Sequence, residues 1–192
     1  MGKDATLACW GVVVVTWIAG ALYGARNAHP RHQRSSASLW AIGSVVGAIV
    51  VVQFAWNDVR RLTDHSWWFE LPGLVLLVVS TVFAIWARLS LGRMWSASPN
   101  VLQEHHELRT DGPYAITRHP IYTGLLGMLL GTALLNGLGV SLAILFVGAV
   151  FLATRIAIEE RLMNTRFPDA YACYRERVPR LVPGLRVHRR SH

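Results

Sequence analysis

Four long stretches without Asp, Glu, Lys or Arg dominate this chain of 192 residues, and they restrict it to a membrane fold. Three of them, Ala5–Ala25, Ser35–Asn57 and Leu71–Ala87, each have about the ~17–25 residues that a membrane-spanning helix needs. Hydrophobic residues make up 53% of the sequence, which agrees with that interpretation. The sequence therefore predicts an all-α, polytopic integral membrane protein with a single domain over residues 1–192.

The fourth stretch, Pro120–Thr154, is too long for one span. Asn136-Gly137-Leu138-Gly139 lies near its middle and is typical of a turn. We therefore predict a tight hairpin of two helices, and five spans in all, at residues 5–25, 35–57, 71–90, 120–136 and 139–157. Segments 91–119 and 158–192, the latter a helical C-terminal tail, are predicted to form a site at one membrane surface.

Basic residues predict the orientation of these spans. Sixteen of the nineteen lie in the loops after the first and third spans and in the tail, whereas Lys3, Arg60 and Arg61 lie on the other side. The positive-inside rule then places the N-terminus outside and the C-terminus and the site in the cytoplasm. The net charge of +8 is interpreted as this topology signal and as attraction to anionic lipid, not to nucleic acid. The oligomeric state is left open.

A polar segment, Gly112–Gly124, directly precedes and enters the fourth stretch. Pro120 is well suited to be the first residue of a helix, whose free N–H groups attract anions. Arg118 and His119 add donors, while Tyr114 and Tyr122 add rings and hydroxyls. The alternative is that Arg118 and His119 only contact lipid phosphates. We predict an anion site here.

Glu159 and Glu160 end the hairpin on the same side. Arg155 lies four residues before Glu159 and can pair with it. Adjacent carboxylates beside a membrane need a positive partner, either a ligand group or an arginine of the tail. Because the hairpin brings the anion site and these carboxylates together, the pattern favours a zwitterionic ligand. No cluster of His and Cys has zinc-ligand spacing, so no metal is predicted.

Three further patterns have structural interpretations. Gly127 and Gly131 form a GxxxG pair that favours helix packing, and Gly124 could pack or approach a ligand. Most tryptophans, Trp10 included, are interpreted as an interfacial belt. The spacing of Phe167, Tyr171 and Tyr174 predicts one face of a short helix lying on the membrane.

Several motifs occur together in order, and with them the chain resembles the isoprenylcysteine carboxyl methyltransferases, an integral membrane family that also looks like the phospholipid N-methyltransferases. The similar residues lie within 90–185, and the first two spans match only in being apolar. The motifs are Leu91-Gly-Arg-Met-Trp-Ser96, His106-Glu-Leu108, Thr110–Tyr114, Arg118-His-Pro-Ile-Tyr-Thr-Gly124, Glu159-Glu160 and Phe167–Pro183.

This resemblance implies S-adenosylmethionine as the methyl donor, bound between the fourth and fifth spans. The residues it implies as cofactor contacts are Leu108, Tyr114, Arg118, His119, Pro120, Tyr122, Gly124, Glu159 and Glu160, with Leu108 and Tyr114 as walls for the adenine. Arg180 or Arg155 is expected to hold an acceptor carboxylate, and Glu159 or His106 could be the base for an amine acceptor.

The predicted reaction is methyl transfer to a lipophilic acceptor that enters from the bilayer, most simply a carboxylate of the isoprenylcysteine type. A phospholipid amine or a thiol remains as an alternative acceptor. A nicotinamide-dependent membrane reductase and a non-catalytic lipid-binding protein remain as alternatives of other classes.

Overall fold

The computed structural model describes residues 2–27, 67–91, 108–137 and 139–184, and every regular element in these ranges is helical. Three helices are long and apolar enough to cross a membrane, over Gly2–Gly20, Glu70–Leu91 and Ser141–Arg166. The predicted span 35–57 lies outside the described residues. The helices are α1 (Gly2–Asn27), α2 (Glu70–Leu91), α3 (Pro120–Asn136), α4 (Gly139–Arg166) and α5 (Pro168–Arg177), with short 3-10 turns at Trp67–Phe69 and Gly112–Ala115.

Helices α2 and α3 pack closely because glycines of α3 leave room for the backbone of α2. A Cβ added at Gly131 would lie 2.7 Å from the Leu77 nitrogen and 2.9 Å from the Gly73 oxygen. At Gly124 it would lie 2.7 Å from the Ala84 Cβ. Gly127 meets α2 in the same way, so the predicted packing role of the glycine pair is confirmed. The geometry at Gly124 supports packing as well.

Helix α1 joins this pair through Trp10. The indole N–H of Trp10 donates a hydrogen bond to the Thr132 hydroxyl of α3 over 3.1 Å. The Trp10 side chain is buried and packs in a core with Leu77 and Met128. Trp10 therefore packs within the protein, where its indole has a hydrogen-bond partner, and is not one of the tryptophans that face lipid headgroups there.

The glycine contacts also give the direction of each helix. Gly2 and Gly73 both lie against Leu135, whereas Gly20 lies against the Arg88 guanidinium. Helices α1 and α2 therefore run in the same direction, and α3 runs in the opposite one. We call the end where α1 and α2 finish and α3 begins the site end. The chain leaves α1 at the site end and enters α2 at the other end, as the proposed five spans require.

Two elements of the C-terminal half differ from their predicted form. Helix α4 continues to Arg166, nine residues beyond the predicted end of the fifth span at residue 157, and Glu159 and Glu160 stand on it as expected. In α5, Tyr171 and Tyr174 are buried and cluster with Val178, against Leu108 and neighbouring apolar side chains. The prediction that their face lies on the membrane is wrong, because that face packs on the protein.

Candidate functional site

A tight turn places the polar segment against α2 at the site end. Gly112 has φ +56°, in the left-handed region that favours glycine, and lies next to Trp86 and Ser90. The Pro113 carbonyl then accepts hydrogen bonds from the N–H groups of Ile116 and Thr117, at 3.1 and 3.2 Å. This turn delivers the chain to the start of α3 in a fixed conformation.

The chain after α5 folds back over the start of α3. The Arg118 N–H donates to the Pro179 carbonyl over 2.8 Å, and the His119 N–H donates to the Arg180 carbonyl over 3.2 Å. The Thr123 hydroxyl donates to the Leu181 carbonyl over 2.7 Å. We call Val178–Leu181 the strap. The carbonyl groups of the strap accept hydrogen bonds from the N–H groups of Arg118 and His119, which directly precede α3. These two N–H groups are therefore not available to a ligand. Pro120 is the first residue of α3, as predicted.

Glu160 anchors the strap to α3 and α4. Its carboxylate is buried and lies 2.8 Å from Arg118 Nη1. Arg180 of the strap donates to the same carboxylate through both Nε, at 3.1 Å, and Nη2. Two arginines from different elements therefore neutralise one carboxylate, which compensates for its burial.

Glu159 has a different environment although it is the next residue. Its side chain is 27% exposed, whereas that of Glu160 is 9% exposed. The Tyr122 hydroxyl donates to Glu159 Oε1, and Arg155 Nη2 lies 3.8 Å from the same oxygen. The partly open carboxylate of Glu159 is thus the one that a bound cation can reach.

His119 lies between the two carboxylates. Its Nδ1 is 3.6 Å from Glu159 Oε2, its Nε2 is 3.5 Å from Glu160 Oε1, and its ring stacks on Tyr122. Burial acts to lower the pKa of His119, but hydrogen bonding and attraction to Glu159 and Glu160 outweigh it and raise the pKa above its ordinary value. The site therefore stabilises the charged form of this histidine relative to that of a free imidazole.

Several buried donors converge here without a well-aligned hydrogen bond to an acceptor among the described residues. They are Arg118 Nε, Arg118 Nη1, His119 Nε2, which lies 3.5 Å from Glu160 Oε1, and the Tyr171 hydroxyl, which lies within reach of Arg118. Arg118 Nη1 is within ion-pair distance of Glu160 but is not aligned for a hydrogen bond. Leaving such groups unsatisfied costs about 1–3 kcal/mol each, and more for charged ones. Donors left in this way fit a ligand carboxylate, and Glu159 beside them fits an ammonium group.

The remaining predicted site residues are placed less centrally. Tyr114 is buried, and its carbonyl accepts the Tyr174 hydroxyl over 2.6 Å. Burial, together with Glu159, raises the pKa of the Tyr114 phenol, so it stays neutral. Leu108 packs on the cluster of Tyr171, Tyr174 and Val178. Gly124 faces α2 and not the carboxylates.

Sequence reasoning placed the C-terminal tail and Arg180 at the site but missed how Tyr171, Tyr174 and Thr123 contribute to it. Tyr171 and Tyr174 were interpreted as a membrane-facing surface but pack inward, and Thr123, which donates to the Leu181 carbonyl, was left without a role. The available signal was that Tyr171 and Tyr174 are three residues apart, and directly precede Val178-Pro-Arg180.

Comparison with known proteins gives the family. The profile of the phospholipid methyltransferase family matches residues 68–170, more than half of the chain. The chain belongs to this family. The match includes the polar segment, both glutamates and the start of α5, which are the elements that build the site.

Two curated proteins are similar to most of this chain. Protein-S-isoprenylcysteine O-methyltransferase B of Arabidopsis thaliana is 35% identical over 64% of this chain and 62% of its own length. Cobalt-zinc-cadmium resistance protein CzcN of Cupriavidus metallidurans is 33% identical over 73% of this chain and 63% of its own length. The chain thus spans less than two thirds of the length of these relatives. The predicted resemblance to isoprenylcysteine carboxyl methyltransferases is confirmed.

A solved structure has the same fold. The eukaryotic intramembrane Ras methyltransferase ICMT aligns over 81% of this chain and 55% of its own, with a TM-score of 0.57 and 24% identity. This structural similarity supports the helical membrane architecture of the present chain.

Proposed function

We propose that this chain is an S-adenosylmethionine-dependent methyltransferase that works at the membrane and methylates a lipophilic carboxylate. The observation that carries the proposal is the set of buried donors without acceptors beside the partly open carboxylate of Glu159. Membership of a methyltransferase family favours this reaction over the reductase and the non-catalytic alternatives.

The residues of the site fit the two ends of a methionyl group. Arg118 and His119 have donors for its carboxylate, and Glu159 has an acceptor for its ammonium. Tyr122 holds Glu159 in place through its hydroxyl, and the buried Tyr114 is the aromatic group best placed to pack on the adenine. When bound, S-adenosylmethionine supplies a methyl group on a sulfonium that is already a good leaving group. Glu160 keeps Arg118 oriented.

We assign the acceptor carboxylate to Arg155. This residue lies one helical turn before Glu159 on α4, so it is on the membrane side of the site, from which a lipid acceptor arrives. A carboxylate is ionised at neutral pH and needs no base, so the protein has to align and desolvate it. The Arg180 fork is engaged by Glu160, and we assign Arg180 to closing the site.

A second acceptor class is an amine of a phospholipid, because the matching family is described as phospholipid methyltransferases. An amine must lose its proton before it attacks, and Glu159 is the carboxylate of the site with room to accept it. For either acceptor we place the site on the cytoplasmic side, with the N-terminus outside, from the distribution of arginines.

Methyl transfer from radiolabelled S-adenosylmethionine tests the proposal in proteoliposomes that contain the full chain. We expect label in a base-labile ester when a prenylated cysteine carboxylate is the acceptor. We expect none when its carboxylate is blocked as an amide. Label on phosphatidylethanolamine alone would replace the carboxylate by the amine, and no label on any lipid would contradict methyl transfer.

A further inference from the structure

The Tyr171 hydroxyl belongs to the set of buried donors at the site, but the proposed function assigns the ligand contacts to Arg118, His119 and Glu159 and leaves this hydroxyl without a partner of its own. Tyr171 is 2% exposed, and its hydroxyl has no acceptor for its proton among the described residues; its polar neighbour is Arg118, which can only donate. Phe167 directly precedes α5, and its carbonyl accepts the Tyr171 N–H over 2.8 Å. Its backbone is therefore fixed, whereas its hydroxyl is left without an acceptor.

The ring of Tyr171 is held in one position by its neighbours. It packs with Tyr174 and Val178, and Leu108, Met163 and Phe167 cover the cluster. The two tyrosine rings are tilted by 57°, with centroids 6.1 Å apart. Because a close-packed ring does not turn freely, the direction of its hydroxyl is set by the fold.

That direction is toward the charged side of the site, because Val178, which packs with Tyr171, begins the strap whose Pro179 carbonyl accepts the Arg118 N–H over 2.8 Å. Burial, together with the charge of Glu160, raises the pKa of Tyr171 to about 12, and Arg118 acts in the opposite sense. Both residues are therefore within electrostatic reach of the hydroxyl. The phenol keeps its proton at physiological pH, so it is a hydrogen-bond donor beside the unfilled donors of Arg118.

We propose that the Tyr171 hydroxyl donates a hydrogen bond to a ligand carboxylate that it shares with Arg118, an inference that rests on the proposed function. The neutral phenol and the Arg118 guanidinium then contact the same carboxylate, so the ligand is recognised by the geometry of its hydrogen bonds as well as by its negative charge. Either the methionyl carboxylate of the donor or the carboxylate of the acceptor has the required chemistry.

Tyr174 is a matched control on the same helix. It is also buried, but its hydroxyl has an acceptor, the Tyr114 carbonyl at 2.6 Å. Tyr174→Phe therefore removes a hydrogen bond of the fold, whereas Tyr171→Phe removes a hydroxyl that the protein does not use for its own packing. We expect Tyr174→Phe to lower the melting temperature and Tyr171→Phe to leave it unchanged or raise it.

The test uses two nucleosides and the purified full chain in detergent. S-adenosylhomocysteine and 5′-methylthioadenosine share the adenosine and the thioether, but only the first has a carboxylate and an ammonium. By calorimetry we expect Tyr171→Phe to weaken S-adenosylhomocysteine on the order of tenfold, the loss of one hydrogen bond to a charged group, and to leave methylthioadenosine unchanged. Tyr174→Phe should leave the ratio of the two affinities unchanged.

Other outcomes distinguish the carboxylate of the methyl donor from that of the acceptor. They also distinguish failure of the Tyr171 proposal from failure of the proposed function. Unchanged nucleoside affinities with a roughly tenfold higher KM for the prenylated carboxylate would assign the hydroxyl to the acceptor. Equal weakening of both nucleosides, or no change in any affinity and in KM, would overturn the Tyr171 proposal. If the wild-type chain bound neither nucleoside, the proposed function itself would fail, which is a different result.

Discussion

Glu159 and Glu160 are adjacent in the sequence, but the structure gives them different neighbours. Glu160 is buried between Arg118 and Arg180, and Glu159 is partly open with Tyr122 as its donor. We expect Glu159→Gln to weaken S-adenosylhomocysteine by on the order of 10- to 100-fold, since a charge-assisted contact is lost, with a small change in melting temperature.

Glu160→Gln should mainly affect stability, because it removes the charge between two arginines and loosens the strap. We expect the free energy of unfolding to fall by on the order of 3 kcal/mol, as for a broken buried ion pair, and the melting temperature to fall with it. Calorimetry and thermal unfolding on both variants check this division. Identical effects of the two substitutions on affinity and on stability would show that the glutamates act as one unit.

The histidine between these glutamates predicts a pH dependence of stability. The pKa of His119 is raised in the folded chain, so its contribution is fully present below its unfolded pKa and is lost as the pH rises through the folded pKa. His119→Gln cannot take a charge. The melting temperature of the wild type should therefore exceed that of the variant most at about pH 6, and the difference should shrink toward alkaline pH. A difference that grows with pH would contradict the sign.

At the scale of elements, the glycines of α3 set how closely it packs on α2. Gly131→Ala places a Cβ 2.7 Å from a backbone nitrogen that cannot move independently, and we expect a loss of about 1–3 kcal/mol from overpacking. Gly11 of α1 is the control, because nothing lies within 4 Å of its added Cβ. Thermal unfolding should show a lower melting temperature for Gly131→Ala and none of that loss for Gly11→Ala.

The strap is the element that α5 brings to the site, and Arg180 ties it down. Arg180→Lys keeps the charge but loses the planar fork that contacts Glu160 through two nitrogens. Hydrogen exchange of a peptide over residues 178–184 should become faster in this variant. Arg175→Lys is the control, because Arg175 of α5 contacts Asn164 and not the strap. Equal exchange in both variants would mean that the backbone hydrogen bonds alone hold the strap.

The sequence predicted the positions of the helices better than it predicted which side chains they bury. Charge-free length located α2 and α3 closely, and the Pro120 signal placed the start of α3. It placed Glu159 and Glu160 on the helix beyond its apolar part, but it did not predict the further extension to Arg166. The burial of Trp10 and Tyr171 was missed because an amphipathic aromatic fits a membrane interface and a protein interior equally well in sequence.

At the scale of the whole molecule, the site lies at one end of the bundle, where α1 and α2 finish. We expect that end to face the cytoplasm, because the arginine-rich segments lie there. A reporter fused after His192 should be active only in the cytoplasm. Activity on the outer side would invert the orientation and would remove the access of a cytoplasmic methyl donor to the site.

The site end should hold S-adenosylmethionine through the carboxylate and the ammonium of its methionyl group. Calorimetric titration of the detergent-solubilised full chain with S-adenosylhomocysteine measures this binding, with Arg118→Lys and Glu159→Gln beside the wild type. We expect the wild type to bind and both variants to bind on the order of 10- to 100-fold more weakly. No binding by the wild type, or equal affinity in all three proteins, would show that these groups do not hold the cofactor.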